Sequence, residues 1–181
     1  VMRGGDEVRF SKRTGDFVTL RDLFEETGVD AARYFFLMRR GDSQFVFDVD
    51  LAKSQTDENP VFYVQMAHAR LSGIFRVKAQ APESVELAGA DLALLAQPEE
   101  AEILKQVQTF PDVVARAAEA LEPHRVTAFL EGLARVVHLW YHKYRVIGEP
   151  EELPRLVLAR AARQVLANGM ALVGIHAPDR M

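Results

Sequence analysis

The chain has 181 residues, 49% of them hydrophobic and 27% charged, with a formal net charge of −4 and no cysteine. These values describe a folded chain long enough for one ordinary core or two small ones, and they exclude disulfides, thiolate catalysis and cysteine-ligated zinc. No apolar run approaches the roughly 18 residues of a membrane span, and the opening VMRGGDEVRF is too charged for a signal peptide, so a cytoplasmic location is expected.

In chain order, RGGD is a turn, lacking the lysine and threonine of a phosphate cradle. VRFSKRTGDFVTL then alternates around a polar turn at Gly15, as short extended pieces flanking an exposed loop do. From Thr19 the period becomes helical: Thr19 caps, Asp22 follows three residues on, Leu20, Leu23 and Phe24 form a stripe, and Gly28 stops it. Asp30 is expected to cap a second helix, AARYFFLMRR, ended by Gly41. SQFVFDVDLA alternates like an edge strand or extended link. Asn59 and Pro60 are a strong helix start, because proline at the first helical position forfeits only an N–H that has no partner anyway. In that helix Val61, Val64, His68, Leu71 and Phe75 fall on one side as a core face, and Tyr63, Met66 and Arg70 fall on the other.

Residues 79–97 contain Pro82 and Gly89 and sit in an acidic stretch, so they read as a linker or short excursion. Helical patterns follow at 98–109, 111–121, 124–145 and 151–173. The third carries Val126, Phe129, Leu130, Leu133, Val137, Trp140 and Tyr144 on one face; the fourth carries Leu158, Ala162, Val165 and Leu172 and stops at Gly174. The expected class is all-α, a helical bundle preceded by a short irregular or β segment.

Charge distribution gives no basic field of the kind that marks a nucleic-acid binder. Residues 1–80 hold 12 basic and 12 acidic side chains, residues 79–109 hold Lys105 against six acids, and residues 110–181 hold nine basic against eight acidic. Contact with a polyanion would need a local face. His138 and His142, four apart, suit a shared metal on a helix face, yet no carboxylate lies between them and no third ligand suggests itself. The acid pairs Glu25/Glu26 and Glu151/Glu152 read as first-turn or solvated-face charges. FSKRTGD puts a serine, a lysine and an arginine in one loop, where a lysine point charge can hold a polyphosphate. Tyr63 and Met66 remain open to a plainer reading as packing beneath the 79–97 excursion.

The order of FSKRTGDFVTLRDL, GVDAARYFFLMRR, FDVDLAKSQTDENPVFYVQMAHAR, PHRVTAFLEGLARVVHLWYHKYRV and LANGMALVGIHAPDRM resembles the C-terminal part of arginyl-tRNA synthetases, class I aminoacyl-tRNA synthetases, over nearly the whole chain. Asp30-Ala31-Ala32-Arg33 is similar to the family's Asp-Ala-Leu-Arg element. The resemblance implies that Ser11 and Lys12 belong to the loop that steadies ATP phosphates, with Arg9, Phe10 and Arg13 departing from its Lys-Met-Ser-Lys-Ser pattern. It implies that Tyr63, Met66, Arg70, Tyr141 and Met181 meet the anticodon loop, although Met66 stands where an aromatic residue is usual. Arg33 is expected to pair within its helix pair and not to meet RNA.

The layout so implied is the tail of a catalytic domain at 1–18, stem-contact and first anticodon helices at 19–78, the excursion at 79–97 and a helical anticodon-binding bundle at 98–181. No nucleotide-binding half is present, so a fragment that binds arginine tRNA without charging it is expected. ATP, magnesium and arginine would serve only the full enzyme, and no DNA or membrane partner is implied. Rival readings are a stand-alone helical RNA- or protein-binding module, a metal enzyme built on His138 and His142, and a cysteinyl relative; APDRM and YVQMAHAR favour the arginyl family.

Overall fold

Thr19 opens the first helix, α1 (Leu20–Thr27), in a capping box: its hydroxyl accepts from the Asp22 N–H at 3.1 Å, and the Asp22 carboxylate accepts from the Thr19 N–H at 2.7 Å. The computed structural model describes residues 1–7 and 19–181, so Ser11, Lys12 and the turn at Gly15 lie outside the described residues. At the start of the chain, β1 (Met2–Arg3) and β2 (Asp6–Glu7) pair antiparallel across Gly4 and Gly5. Their φ values of 60° and 83° are the left-handed ones that a two-residue hairpin turn requires.

Gly28 separates α1 from α2 (Val29–Leu37). Here the structure departs from expectation: Asp30 lies inside the first turn of α2, not at its cap, and its carboxylate is used elsewhere. The helix also stops short of Gly41, in a turn where the Arg40 carbonyl accepts from the Ser43 N–H at 3.1 Å and hydroxyl at 2.8 Å. SQFVFDVDLA is only half extended, since Asp48 accepts from the Leu51 N–H at 2.9 Å and starts the short helix α3 (Val49–Lys53).

The long helices are α4 (Pro60–Lys78), α5 (Pro98–Ala120), α6 (His124–Lys143) and α7 (Glu152–Leu172), which pack on one another, with α1–α3 at one end. Asn59 caps α4 by accepting from the Val61 N–H at 3.1 Å, while its amide donates to the carbonyls of Ala52 and Ser54 at 3.1 and 2.7 Å. Val61, Val64, His68, Leu71 and Phe75 are all buried, as their spacing predicts.

Pro111 does not divide α5. An internal proline costs about 3 kcal/mol, and packing offsets it: Phe110, beside the proline, sets its ring 5.2 Å from Phe129 on α6, and Ile103 and Ala117 are buried on either side. Leu172, expected on the apolar face of α7, is exposed in the last turn, whereas Leu158, Ala162 and Val165 are buried. Within residues 79–97, Val85 and Leu95 are buried, and Arg160 donates to the Val85 carbonyl.

Helices α6 and α7 approach closely at Gly169. A Cβ there would lie 2.6 Å from Cδ2 of Leu130, a fully buried side chain. Gly169→Ala is therefore expected to cost about 1–3 kcal/mol by overpacking, measured as a fall in the urea midpoint.

Candidate nucleic-acid interface

The cap at Asn59 and Pro60 sets the rotation of α4, and the burial of its core face turns Tyr63, Met66 and Arg70 to the opposite side, half-buried. Nη1 of Arg70 donates to Nδ1 of His138 at 2.7 Å and to Nε2 of His142 at 3.2 Å. The same guanidinium lies 5.8 Å from the ring centre of Tyr141, within cation–π range. The Tyr63 ring sits 4.4 Å from that of His138, tilted by 54°. Tyr63, Arg70 and Tyr141 are thus brought into one cluster by two histidines. The ring nitrogens that a shared metal would need face the hydrogens of Arg70.

His138 is buried, and its bonds fix its tautomer. Nε2–H donates to the Tyr63 carbonyl at 3.0 Å, leaving the Nδ1 lone pair to Arg70. Burial pulls its pKa down, and the Arg70 charge adds to that against the Tyr63 carbonyl. His68, also buried, donates from Nδ1 to the Pro178 carbonyl at 2.8 Å; burial again lowers its pKa. For both groups the folded pKa lies below the unfolded imidazole value of about 6.5. The unfolded chain therefore takes the proton more readily, so their stabilisation is complete above about pH 6.5 and is lost as pH falls through the folded values. The urea midpoint is expected to drop between about pH 7.5 and about pH 5, and a His68→Gln, His138→Gln double variant is expected to show a flatter profile.

The segment after α7 is held by side chains from three helices. Asp30 accepts from the His176 N–H and Nδ1–H, both at 3.0 Å, and Gln65 donates to Asp30 and to the His176 carbonyl, also at 3.0 Å. The Asp179 carboxylate accepts from the Ser72 hydroxyl at 2.8 Å and from Nη2 of Arg163 at 2.9 Å, while Arg76 donates to the Asp179 carbonyl. Arg163 and Ser72 hold the Asp179 carboxyl below its usual range. Gly174, at φ 71°, lets the chain turn beneath Arg33, whose Nη1 lies 2.9 Å from the place a Cβ would occupy.

Arg33 was expected to pair within its helix pair; among the described residues no carboxylate pairs with it, and it packs on the backbone at Gly174. The clamp escaped the reading of the sequence. Its signal was a polar stripe on α4, Gln65, His68, Ser72 and Arg76, at spacings of three and four. Met181, half exposed, then lies with Phe62, Gln65 and His176 around a hollow of about 580 Å³ on the neighbouring face of α4. It is not part of the Arg70 cluster.

No described helix is long and apolar enough to cross a membrane. The described face combines the Tyr63 and Tyr141 rings with one ordered guanidinium, that of Arg70. That combination suits unstacked bases better than a duplex backbone.

The chain is similar along its whole length to arginine–tRNA ligases: 53% identical over 184 residues to that of Geobacter metallireducens and 51% identical over 183 residues to that of Bordetella pertussis. It spans about a third of these relatives, 33% and 32% of their lengths. Among solved structures, a Campylobacter jejuni protein assigned as an arginyl-tRNA synthetase superposes with a TM-score of 0.89 at 27% identity, over 98% of this chain and 38% of that one. Thermus thermophilus arginyl-tRNA synthetase superposes with a TM-score of 0.72 at 30% identity, over 94% of this chain and 29% of that one. The model of the DALR anticodon binding domain matches residues 64–181, which include most of α4, the whole of α5–α7 and the clamped segment, and by that match the chain belongs to the DALR anticodon-binding family.

Proposed function

We propose that this chain is the anticodon-recognising part of an arginine–tRNA ligase, and that Tyr63, Met66, Arg70, Tyr141 and Met181 meet the anticodon loop of arginine tRNA. The supporting observation is the ordered placing of Arg70 between the Tyr141 ring and two histidines. A guanidinium so held keeps a planar face and free N–H groups for a base or a phosphate without a large loss of side-chain entropy on binding.

In the whole protein, residues 1–18 would be the end of the catalytic unit, 19–78 the stem-contact and first anticodon helices, 79–97 a linker or excursion and 98–181 the bundle. ATP, magnesium and arginine belong to the catalytic unit, where Ser11 and Lys12 would face ATP phosphates; the chain by itself binds tRNA and forms no product. The setting proposed is the cytoplasm.

Titration of the 181-residue chain with arginine tRNA, and with the same tRNA carrying a changed anticodon, tests this reading at two salt concentrations. Preference for the native anticodon with a shallow salt dependence is expected, because few phosphates are neutralised. Equal affinity for both tRNAs, or none, refutes it.

A further inference from the structure

At the Tyr63 edge of the Arg70 cluster lies an open cavity of about 430 Å³ bounded by Asp57, Glu58, Pro60, Tyr63, Glu131 and Arg135. Part of its wall is anchored. The turn bearing Asp57 and Glu58 is anchored by buried Asn59, whose N–H donates to the Thr56 carbonyl at 3.0 Å and whose amide donates to Ser54 and Ala52. Glu131 is steadied by a 3.3 Å bond from the Tyr34 hydroxyl, and Tyr63 by its contact with His138.

Its polar groups do not satisfy one another. Glu131 and Arg135 are four apart on α6, the usual spacing for an ion pair, yet no carboxylate lies within salt-bridge distance of Arg135 among the described residues. Among the described residues Glu131 receives only that long bond, although a carboxylate has about four acceptor positions. Partial burial accordingly pushes its pKa up, against the Tyr34 bond and the Arg135 charge. With three carboxylates and one guanidinium, the lining is net negative, so it repels phosphate and favours a neutral occupant that brings N–H donors.

We infer that this cavity seats one unstacked nucleobase of the anticodon loop, one that presents an exocyclic amino group beside a ring-nitrogen acceptor. Tyr63 is the flat wall, Glu131 accepts from the amino group and Arg135 donates to the ring nitrogen. Uracil, which presents a carbonyl where the amino group would be, sets an oxygen against the carboxylate and is rejected. Glu131 and Arg135 are then specificity-determining residues of the same RNA face; the inference rests on the function proposed above.

The test replaces each amino-bearing base of the anticodon loop in arginine tRNA by uridine, one at a time. Binding is measured to the wild-type chain, Glu131→Met, Arg135→Met and Arg70→Ala. Tyr34 keeps its 3.1 Å bond to the Thr127 carbonyl when Glu131 is replaced, so the Glu131→Met chain retains a satisfied core, which thermal unfolding checks. One position is expected to show a uridine penalty of about tenfold or more in the wild type and under about threefold in Glu131→Met. Arg135→Met is expected to shrink the same penalty, and Arg70→Ala to leave it in place while weakening all the tRNAs. A penalty that survives Glu131→Met and Arg135→Met in full overturns the pocket and leaves the proposed function standing. A wild-type chain that binds every anticodon alike, or none, overturns both.

Discussion

Glu100→Ala is expected to lower the unfolding free energy by about 3–5 kcal/mol. Glu100 is fully buried at the start of α5 and accepts three bonds from different parts of the chain: Nε of Arg155 at 2.8 Å, Nε1 of Trp140 at 3.3 Å and the N–H of Gln97 at 3.0 Å. Removing the carboxylate leaves the buried Arg155 charge with the Arg145 carbonyl at 2.8 Å, the Tyr144 ring at 5.5 Å and a looser pair to Glu151 at 3.4 Å. An uncompensated buried cation is much costlier than the pair is stabilising, so the loss exceeds anything the pair contributes by itself. Replacing both partners with methionine is expected to recover most of the deficit. Trp140, the single tryptophan, reports urea unfolding directly. A loss below about 1 kcal/mol would show that Arg155 finds other partners or water.

Arg70→Ala is expected to weaken binding of arginine tRNA by about tenfold to a hundredfold, the range in which one stacked base contributes. Three losses coincide: the cation over Tyr141, the shared hydrogen bonds that order His138 and His142, and the planar donor fork. Arg70→Lys separates them. Lysine keeps the charge but not the plane or the fork, so its affinity should fall close to that of the alanine variant if a base edge or face is met. If a phosphate is met, lysine should hold most of the affinity, and the salt slope should drop by about one in the alanine variant. Wild-type affinity in Arg70→Ala would make the cluster internal packing.

Helix starts and stops were readable because their causes are local. Thr19 with Asp22, Asn59 with Pro60, and Gly28 and Gly174 act within one turn of the chain, and the structure places each as the residue types demand. Pro111 misled for the same reason: a local rule for breaking helices lost to packing from α6. Tyr63, Arg70 and Tyr141 come together through His138 and His142, whose spacing pointed towards a metal and gave no hint of a guanidinium 68 and 72 residues away. Asp30, read as a cap, serves a partner 146 residues distant. No helical or strand period carries information over such separations.

The bonds that the clamp makes to residues 176–179 span 103 to 146 residues, except for that from Arg163, 16 residues away. Closing loops of that length costs entropy before any bond repays it, whereas α5 and α6 meet across a three-residue connection centred on Glu122. Docking of this segment is thus expected to be a late step in folding, and its release a sub-global opening that leaves the α5–α6 hairpin intact. Amide exchange at His176 should accordingly run ahead of exchange at Trp140. An RNA that touches Met181 would slow the first without needing to change the second.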